Sequence, residues 1–569
     1  MSRFQFWRRW GGLDLLRWGM GLFFFVFLLV PLLSILLVSF TGEPVNLFGS
    51  LTNPSILQST VEKLSGASLD GYRSLLEESR YYNALLNSLK LSTGVALWVT
   101  LMCIPMAYAF ARTDMPGKKW FAALSTVPLV MPTFIAAYAF TLMFGQTGWV
   151  NHVWRAIGGD GVLFEIKSML GITLVQIFFF FPYALWPMVA AFKAADGALE
   201  EASRNLGAKS GLTFTMVTLS LALPGILSAM LLVFTISFSD FGTPIIMAPK
   251  ELNLIVVEAY REIAGFFNWS GSAILTVVML VVAALFFWLQ RLVVKGREYG
   301  TISGKPTAIR PVQHRGVITG MTIYTGVVLI IPLLAVGSIF LSSIATTWGH
   351  HALPNGYTLR HYATVFHSSS SHIANSLILA GGALLLSVVL ATFLSYFIIR
   401  RGATKLDLLS SLPLVVPGIA LGIALIQTFN TAPLQLTGTA LLLIIAYTIR
   451  RMPYMIRSTM GTMMAIRKDI EEASVNLGAS PLLTVMTVVG PLLLPGISAG
   501  AILVFVTVIK ETSISILMAP SQWAPMSLAV FQNLLRGEFY TASAMSILII
   551  ALVVALQLLA RRLTKEQLY

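Results

Sequence analysis

The amino-acid sequence predicts an all-α polytopic membrane protein built from two tandem six-helix domains, with about twelve transmembrane helices. Three observations lead to this fold class. Hydrophobic residues make up 56% of the 569 residues and charged residues only 11%, whereas soluble globular proteins average about 25% charged residues. Apolar runs long enough to cross a bilayer recur along the chain, and the second half repeats motifs of the first.

The apolar runs predict the individual spans, because a membrane-crossing helix needs roughly 20 mostly apolar residues. The first run is too long for the core of a signal peptide and no A-x-A cleavage site follows it, so we expect it to be a membrane anchor. The predicted spans are 19–40, 86–111, 121–144, 170–192, 213–238, 273–291, 317–341, 374–399, 407–428, 432–456, 483–509 and 543–561.

The positive charges predict the orientation of the spans. The net charge is +14, and 27 of the 38 Lys and Arg residues lie at the two ends of the chain and in every second segment between the apolar runs, which would all be on one side of the membrane. This positive-inside pattern places the N- and C-termini in the cytoplasm. The basic balance is therefore a topology signal, and we expect the lipid bilayer, not nucleic acid, as the partner of these charges.

The single cysteine, Cys103, lies within an apolar run. It allows no intrachain disulfide and no cysteine metal cluster. We expect neither a metal nor a cofactor bound by this chain.

An internal repeat divides the sequence into two similar halves. EEASRNLGA at 200–208 recurs as EEASVNLGA at 471–479, and LPGI at 223–226 recurs at 494–497. Farther upstream, Asn87 matches Asn375, and PLVMP at 128–132 matches PLVVP at 413–417. The sequence therefore predicts a duplicated unit, with domains 1–300 and 301–569 in the same topology.

The repeated polar segment predicts a short cytoplasmic helix in each half. Glu200 and Glu201 would lie in the first turn, where negative charge suits the helix dipole, and Asp469 would cap the second helix. Gly207 and Gly478 stand where a C′ glycine ends a helix.

Each predicted short helix has a small apolar face with a charged rim. Such a helix suits docking to another protein, although packing on its own bundle is the alternative. The faces consist of Leu199, Ala202 and Leu206 in the first copy and Ile470, Ala473 and Leu477 in the second.

These repeated motifs resemble the EAA loop of permease subunits in bacterial ABC importers. The loops span 193–212 and 461–482, and the resemblance covers nearly the whole chain as a fused pair of type I transmembrane domains. It implies that each loop forms a coupling helix that inserts into an ATPase subunit, with the glutamate and the glycine as hallmark positions. The implied coupling residues are Glu200, Glu201, Ala202, Leu206, Gly207, Glu471, Glu472, Ala473, Leu477 and Gly478.

The resemblance also implies the partners of the chain. They are two copies of an ATPase at the cytoplasmic loops and a periplasmic substrate-binding protein, in the bacterial inner membrane. The phosphate-binding pattern G-x-x-x-x-G-K-[ST] does not occur in the sequence. ATP and Mg²⁺ would therefore bind to the partner ATPase, and we expect this chain to be a transporter subunit and not an enzyme.

Two matched acids are candidates for the substrate path. Asp240, in FSDFGTPIIMAP, matches Glu511, in VIKETSISILMAP, where Lys510 adjoins the acid. Charge near a membrane span is costly and often functional. These acids could contact a cation or the binding protein, or they could be interfacial acids paired with Lys510 or with the backbone.

Prolines interrupt the third and ninth predicted spans. Pro132 and Pro417 end the matched PLVMP and PLVVP motifs, and a proline inside a helix frees a backbone carbonyl one turn earlier. The kinks could be hinges or pathway walls, or they could serve packing alone.

Two further groups of charged or titratable residues receive a structural interpretation. Arg450 and Arg451 are expected at the inner end of span ten, where they would snorkel to the cytoplasmic interface; an anion path is the alternative.

The outer segment 342–373 is expected to be a solvated loop, with a soft-metal site as the alternative. Its histidines are His350, His351, His361, His367 and His372.

The segments around Asp240 and Glu511 resemble those of fused permeases for ferric iron and for phosphonates. Ferric iron is the first substrate hypothesis and 2-aminoethylphosphonate the second. Thiamine, polyamines and oxyanions remain open. An ion-gradient-driven transporter and a membrane scaffold are the alternative classes.

Overall fold

The computed structural model describes residues 12–295, 312–349 and 351–564, and these residues form helices joined by turns and loops. In those ranges no β-strand occurs, only two isolated bridges. The α-helices of the first half are α1 (Gly12–Phe24), α2 (Val30–Thr41), α3 (Leu47–Thr52), α4 (Pro54–Ser65), α5 (Asp70–Glu77), α6 (Ser79–Arg112), α7 (Lys118–Leu124), α8 (Thr133–Phe144), α9 (Trp149–Ala156), α10 (Met169–Ala194), α11 (Gly197–Asn205), α12 (Ser210–Thr213), α13 (Leu219–Phe238), α14 (Gly242–Met247), α15 (Ile255–Ala264) and α16 (Trp269–Lys295).

The second half has a corresponding series of helices. They are α17 (Arg315–Ile344), α18 (Arg360–Ser368), α19 (Ser370–Arg401), α20 (Thr404–Ser411), α21 (Gly418–Phe429), α22 (Ala440–Ala465), α23 (Lys468–Asn476), α24 (Pro481–Thr484), α25 (Gly490–Leu492), α26 (Leu494–Ile509), α27 (Ser515–Met518), α28 (Met526–Leu535) and α29 (Phe539–Thr564). Turns of 3₁₀-helix lie at Val127–Val130, Leu412–Leu414 and Ser521–Trp523, and π-helical turns at Phe25–Leu29, Phe214–Thr218 and Val485–Val489.

The long apolar helices confirm an all-α polytopic membrane protein. Only helices satisfy every backbone group within one segment when the surroundings are lipid. In the described part of the chain, 8 helices are long and apolar enough to cross a membrane, or up to 11 if each bent pair counts as one span. The eight are Gly12–Thr41, Ser79–Arg112, Met169–Ala194, Ser210–Phe238, Trp269–Val293, Arg315–Ile344, Ser370–Arg401 and Phe539–Leu558.

The remaining predicted span differs from the helix found there. We expected a span at 432–456, but α22 runs from Ala440 to Ala465, so the predicted start was wrong. The helix carries Arg450, Arg451 and Arg457, and it is not among the candidate spans.

The proline breaks expected in spans three and nine are confirmed. The chain bends by 104° between Lys118–Val130 and the helical segment that starts at Thr133, and by 109° between Thr404–Leu414 and α21. Pro132 and Pro417 cap the second helix of each pair with nearly identical backbone angles, φ/ψ of −58°/144° and −57°/145°. The duplicated motif therefore produces the same geometry twice.

A third bend has no counterpart in the first half. Pro481–Leu492 and Leu494–Ile509 meet at 73°, whereas Ser210–Phe238 is one helical span. Pro491 stands in the second copy where the first has Ser220. A proline removes a backbone donor and crowds the preceding turn, which accounts for a break in one copy alone.

The helices form two compact units that do not follow the order of the chain. The Glu471 unit comprises Met1–Leu75, Ala259–Leu280 and Arg360–Leu568, and the Glu200 unit comprises Leu76–Glu258 and Val281–Leu359. The predicted domains 1–300 and 301–569 describe the sequence duplication and stay a prediction. In the structure, each unit includes the first span of the other half of the sequence.

Specific contacts fix these exchanged spans within their units. In the Glu471 unit, the ring of Phe27 stacks on Phe429 at 5.3 Å between centroids. In the Glu200 unit, the Tyr324 hydroxyl of α17 donates to the Met102 carbonyl at 3.0 Å. Both contacts join residues that lie far apart in the sequence.

Candidate functional site

The first repeated segment forms α11, a nine-residue helix with well-defined ends. The Asp196 carboxylate caps it by accepting from the Ala198 N–H at 3.0 Å. At its other end, Gly207 has φ +88°, and its N–H donates to the Arg204 carbonyl at 2.9 Å. This αL glycine confirms the predicted helix end, because residues with a Cβ rarely adopt this conformation. Only Glu200 of the two predicted acids lies in the first turn.

The second repeated segment forms α23, which has the same length and the same type of end. Gly478 has φ +93° and donates to the Val475 carbonyl at 2.9 Å. The predicted cap was wrong: Arg467 occupies the N-cap position, its side chain makes no capping hydrogen bond to the helix backbone, and Asp469 lies inside the first turn. Asp469 forms an ion pair with Arg467. Its negative charge in the first turn also interacts favourably with the positive end of the helix dipole.

The glutamates of the repeated segments turn towards their own helix bundles. Glu200 is buried, and its Oε1 lies 3.1 Å from Nη2 of the fully buried Arg112. Oε1 of Glu471 lies 2.6 Å from Nε of Arg400, and both of these side chains are nearly buried. Each repeated segment is thus attached to the last turn of the second span in its half, α6 or α19.

The same arginines also hold the end of the preceding long helix. Arg112 donates to the Ala195 carbonyl at 3.0 Å, and Arg400 donates to the Ile466 carbonyl at 2.6 Å. Sequence reasoning missed both arginines. The register that matches Asn87 with Asn375 also matches Arg112 with Arg400, so the duplication carried a signal that could have found them.

A second matched contact joins each short helix to the next turn of the chain. The hydroxyls of Ser203 and Thr213 lie 3.1 Å apart, and those of Ser474 and Thr484 lie 3.0 Å apart. A π-helical turn follows at Phe214–Thr218 and again at Val485–Val489. The two copies therefore share the arrangement of ion pair, hydroxyl bridge and π-turn.

The first copy has further support for its glutamate. The Thr218 hydroxyl donates to Glu200 Oε1 at 2.8 Å, and Arg204 Nη2 lies 3.8 Å from Oε2. The corresponding positions in the second copy are Val489 and Val475. Within the described part of the chain, Glu471 therefore depends more strongly on the Arg400 guanidinium.

The outward face of each short helix is apolar and open. Leu206 is 89% exposed and Leu477 is 90% exposed, and Ala202, Ala473 and Glu472 are also exposed, whereas Glu201 is partly buried. Beside α11 lies an open groove of about 530 Å³. Its walls include Leu199, Ala202, Leu206, Met216, Val217 and Leu221.

The acid of the first half is held by neutral donors. Asp240 is buried and accepts from the Thr133 hydroxyl at 2.7 Å and from Gln176 Nε2 at 2.9 Å. The backbone N–H groups of Gly242 and Thr243 also donate to it, at 3.2 Å and 3.3 Å. No ion pair to Asp240 occurs within the described residues.

The acid of the second half is held by guanidinium groups. Glu511 is buried; its Oε2 lies 3.2 Å from Arg450 Nε and forms a hydrogen bond with Arg451 Nη2. Both arginine side chains are only 16% exposed, so the snorkelling prediction was wrong. A buried carboxylate attracts them inward, since unpaired charge is costly in such surroundings. Lys510, next in sequence, is partly buried.

Small residues make room for these different partners. A Cβ on Gly418 would lie 2.8 Å from Arg450 Cζ, and a Cβ on Gly242 would lie 2.2 Å from the Thr133 hydroxyl oxygen. In the matched registers, Gly418 corresponds to Thr133 and Gly242 to Ser513. The side chain that fills the space beside each acid is therefore supplied by a different element in each half.

Both acids secure the chain at the proline breaks. Thr133, which donates to Asp240, is the first residue of α8 after Pro132. Arg450, which pairs with Glu511, donates through Nη1 to the Val416 carbonyl at 3.1 Å, next to Pro417. The two predicted features, acid and proline, belong to one site in each unit.

The outer-loop histidines take separate positions. His372 Nδ1 lies 2.8 Å from the Ala524 carbonyl, and the His361 ring stacks on Tyr540 at 5.3 Å. Among the described residues, no group of three or more His, Cys, Asp or Glu side chains could hold a metal ion. His350 lies outside the described residues.

Comparison with known proteins identifies the family. The model of the binding-protein-dependent transport system inner membrane component matches residues 101–299 and 383–567, once in each half. The chain belongs to this family. It is a multi-span permease component of a binding-protein-dependent transport system, and by this membership a transporter component.

Relatives of known name match either most of the chain or a smaller part of it. The ferric transport system permease protein FbpB of Actinobacillus pleuropneumoniae is 27% identical over 85% of this chain and 71% of its own length. A putative ferric transport system permease protein, FbpB 1 of Haemophilus influenzae, is 29% identical over 77% and 70%. The molybdenum transport system permease protein ModB of Escherichia coli is 29% identical over 37% of this chain and 94% of its own length.

A solved structure is also similar to part of the chain. It is the crystal structure of a bacterial alginate ABC transporter in complex with an alginate pentasaccharide-bound periplasmic protein. The match is 20% identical, covers 41% of this chain and 85% of the other, and has a TM-score of 0.35.

Proposed function

We propose that this chain is the membrane subunit of an ATP-driven importer that moves ferric iron from the periplasm to the cytoplasm. One observation carries the substrate assignment. The two permeases named for ferric transport are similar to most of the chain, including both halves, with 85% and 77% of it covered. The match to the molybdenum permease covers only 37% of the chain.

Two separate ATPase subunits would dock on α11 and α23 and would bind ATP and Mg²⁺, with no cofactor held by this chain. The exposed Leu206 and Leu477 support this docking, because a fully exposed leucine on a short polar helix gains free energy when a partner covers it. The apolar groove beside α11 supplies further surface for a partner to cover.

The same proposal places both chain termini in the cytoplasm of a bacterial inner-membrane transporter. The positive-inside charge pattern supports this orientation. A periplasmic binding protein would then meet the opposite face, which consists of the segments 41–85, 145–169, 239–272, 342–373 and 510–542.

The substrate path would pass the broken helices. Proline breaks leave backbone carbonyls free to face a water-filled route. Asp240 and Glu511 lie beside these breaks and supply hard oxygen donors. The proposed path residues are Asp240, Lys510, Glu511, Pro132 and Pro417.

Transport assays with deletion and complementation in the native cells test the substrate. Loss of the chain should abolish uptake of radiolabelled ferric iron at limiting iron, and the intact gene should restore it. Growth on 2-aminoethylphosphonate as sole phosphorus source is the matched control and should be unchanged. If growth on the phosphonate is lost and iron uptake persists, the ferric assignment is wrong.

Affinity purification tests the ATP-driven class. Tagged protein, solubilised gently, should recover an ATPase with a phosphate-binding Walker motif, and uptake should stop with vanadate. Uptake that survives vanadate and ATP depletion under a clamped ion gradient would place the chain among gradient-driven carriers. Recovery of no ATPase after crosslinking, with no transport defect on deletion, would favour a scaffold.

A further inference from the structure

We propose that Arg112 and Arg400 are positioning residues that link each coupling helix to the second span of its half. On this view, Glu200 and Glu471 serve this internal link. The inference rests on the proposed function, because it assigns a role to the site at which the ATPase would dock.

Three elements meet at each arginine. The side chain comes from the last turn of a long span, α6 or α19. It donates to the carbonyl that follows the last residue of α10 or α22, at Ala195 or Ile466. It also pairs with the glutamate of the short helix. A guanidinium offers several donors in one rigid plane and can bind both partners at once. Displacement of the short helix would therefore pull on two membrane helices together.

Burial makes this link firm. Arg112 and Glu200 are both shielded from solvent, and Arg400 and Glu471 are nearly so. Separating such a pair would leave a charge without its partner in poorly solvated surroundings, which is strongly unfavourable. A pair of this kind transmits displacement, whereas an exposed pair would exchange with water.

The orientation of the glutamates separates linking from docking. Their carboxylates face the bundle, whereas Leu206 and Leu477 face outward. A docked ATPase would meet the leucines first. Substitution of the leucines should weaken binding of the ATPase. Substitution of the arginines should leave the ATPase bound but reduce the stimulation of its hydrolysis by the binding protein.

The second half gives the sharper test. Glu200 keeps Thr218 and Arg204 nearby if Arg112 is removed, but Glu471 has Arg400 as its ion-pair partner within the described residues. Arg400→Gln therefore removes the link most completely. The adjacent Arg401 is exposed, which makes Arg401→Gln a matched control.

The experiment uses the full chain purified with its ATPase and its loaded binding protein, reconstituted in lipid vesicles. For each variant it measures the ATPase recovered per chain, the basal rate of ATP hydrolysis, and the stimulation of hydrolysis by the binding protein. Leu477→Glu serves as the docking variant.

We expect Arg400→Gln to keep ATPase recovery and basal hydrolysis within twofold of the wild type and to lose at least fivefold in stimulation. Arg401→Gln should behave as the wild type, and Leu477→Glu should lose the ATPase itself. Arg400→Lys keeps the charge but not the planar donor set, so it should give intermediate stimulation. A purely structural defect would lower ATPase recovery and basal hydrolysis together. It would leave the stimulation by the binding protein unchanged in the complex that is still recovered.

Two results overturn the inference. One is normal stimulation in Arg400→Gln. The other is parallel loss of ATPase recovery and stimulation in both Arg400→Gln and the milder Arg400→Lys. If the wild-type chain recovers no ATPase, the proposed function fails first, so the two failures are distinguishable.

Discussion

Asp240 and Glu511 occupy matched positions in the duplicated sequence, yet their surroundings differ in charge. Asp240 receives hydrogen bonds from a hydroxyl, an amide and two backbone N–H groups. Glu511 receives them from two arginines. Each acid nevertheless secures the chain beside a proline break of nearly identical geometry.

The difference shows which property the duplication has kept. The geometry of the break is common to both halves, but the means of holding the acid is not. Where Thr133 reaches one acid, Gly418 leaves space for the guanidinium that reaches the other. The charges around the two acids have therefore diverged, while the backbone geometry of the adjacent proline break has not.

The largest expected effect is a difference between Glu511→Gln and Asp240→Asn. Glu511→Gln leaves two buried arginines without a carboxylate and should lower the free energy of unfolding by about 3–5 kcal/mol. Asp240→Asn leaves only neutral donors and should cost about 1–3 kcal/mol. Denaturant unfolding of the purified protein in detergent measures both.

A second substitution tests the cause of that difference. Arg451→Met in the Glu511→Gln background should recover part of the lost stability, since it removes one uncompensated charge. Equal losses for the two single variants, with no recovery in the double variant, would mean that charge does not distinguish the sites.

A smaller effect is expected from the space beside each acid. Gly418→Ala places a methyl group against Arg450 and should cost about 1–3 kcal/mol through overpacking. Gly381, within α19, has no atom within 4 Å of its would-be Cβ, so Gly381→Ala is the matched control and should not destabilise. If both alanines are tolerated alike in thermal unfolding, the Arg450 site is less closely packed than the distances indicate.

The smallest expected effect concerns positions where the two halves should agree. Gly207→Ala and Gly478→Ala each force a side chain into the left-handed region and should each cost about 1–2 kcal/mol. Gly211→Ala, at an open position without positive φ, is the control. A clear inequality between the losses of stability in Gly207→Ala and Gly478→Ala would show that the divergence extends beyond the acids.

The sequence predicted the features that depend on local pattern. The C′ glycines, the short helices and the proline breaks were all found, because each follows from residues a few positions apart. The repeat strengthened these predictions, since an arrangement required by the fold tends to appear in both copies.

The sequence did not predict contacts between distant segments. Arg112 and Arg400 were missed because their glutamate partners lie about 70–90 residues away along the chain, and pairing at that range follows from packing and not from periodicity. Arg450 and Arg451 were placed at the membrane surface because snorkelling is the usual behaviour of arginine near a span end. A buried partner such as Glu511 overrides that tendency, and the local pattern around the arginines does not reveal it.

The exchanged first spans have a consequence for synthesis of the protein. Phe27 stacks on Phe429, which the ribosome adds roughly 400 residues later, or about 20–80 s at ~5–20 residues per second. During that interval the N-terminal span must rest in the bilayer without its eventual neighbours. Translation therefore sets an order of assembly in which the span that carries Phe27 is inserted long before its packing against Phe429 is completed.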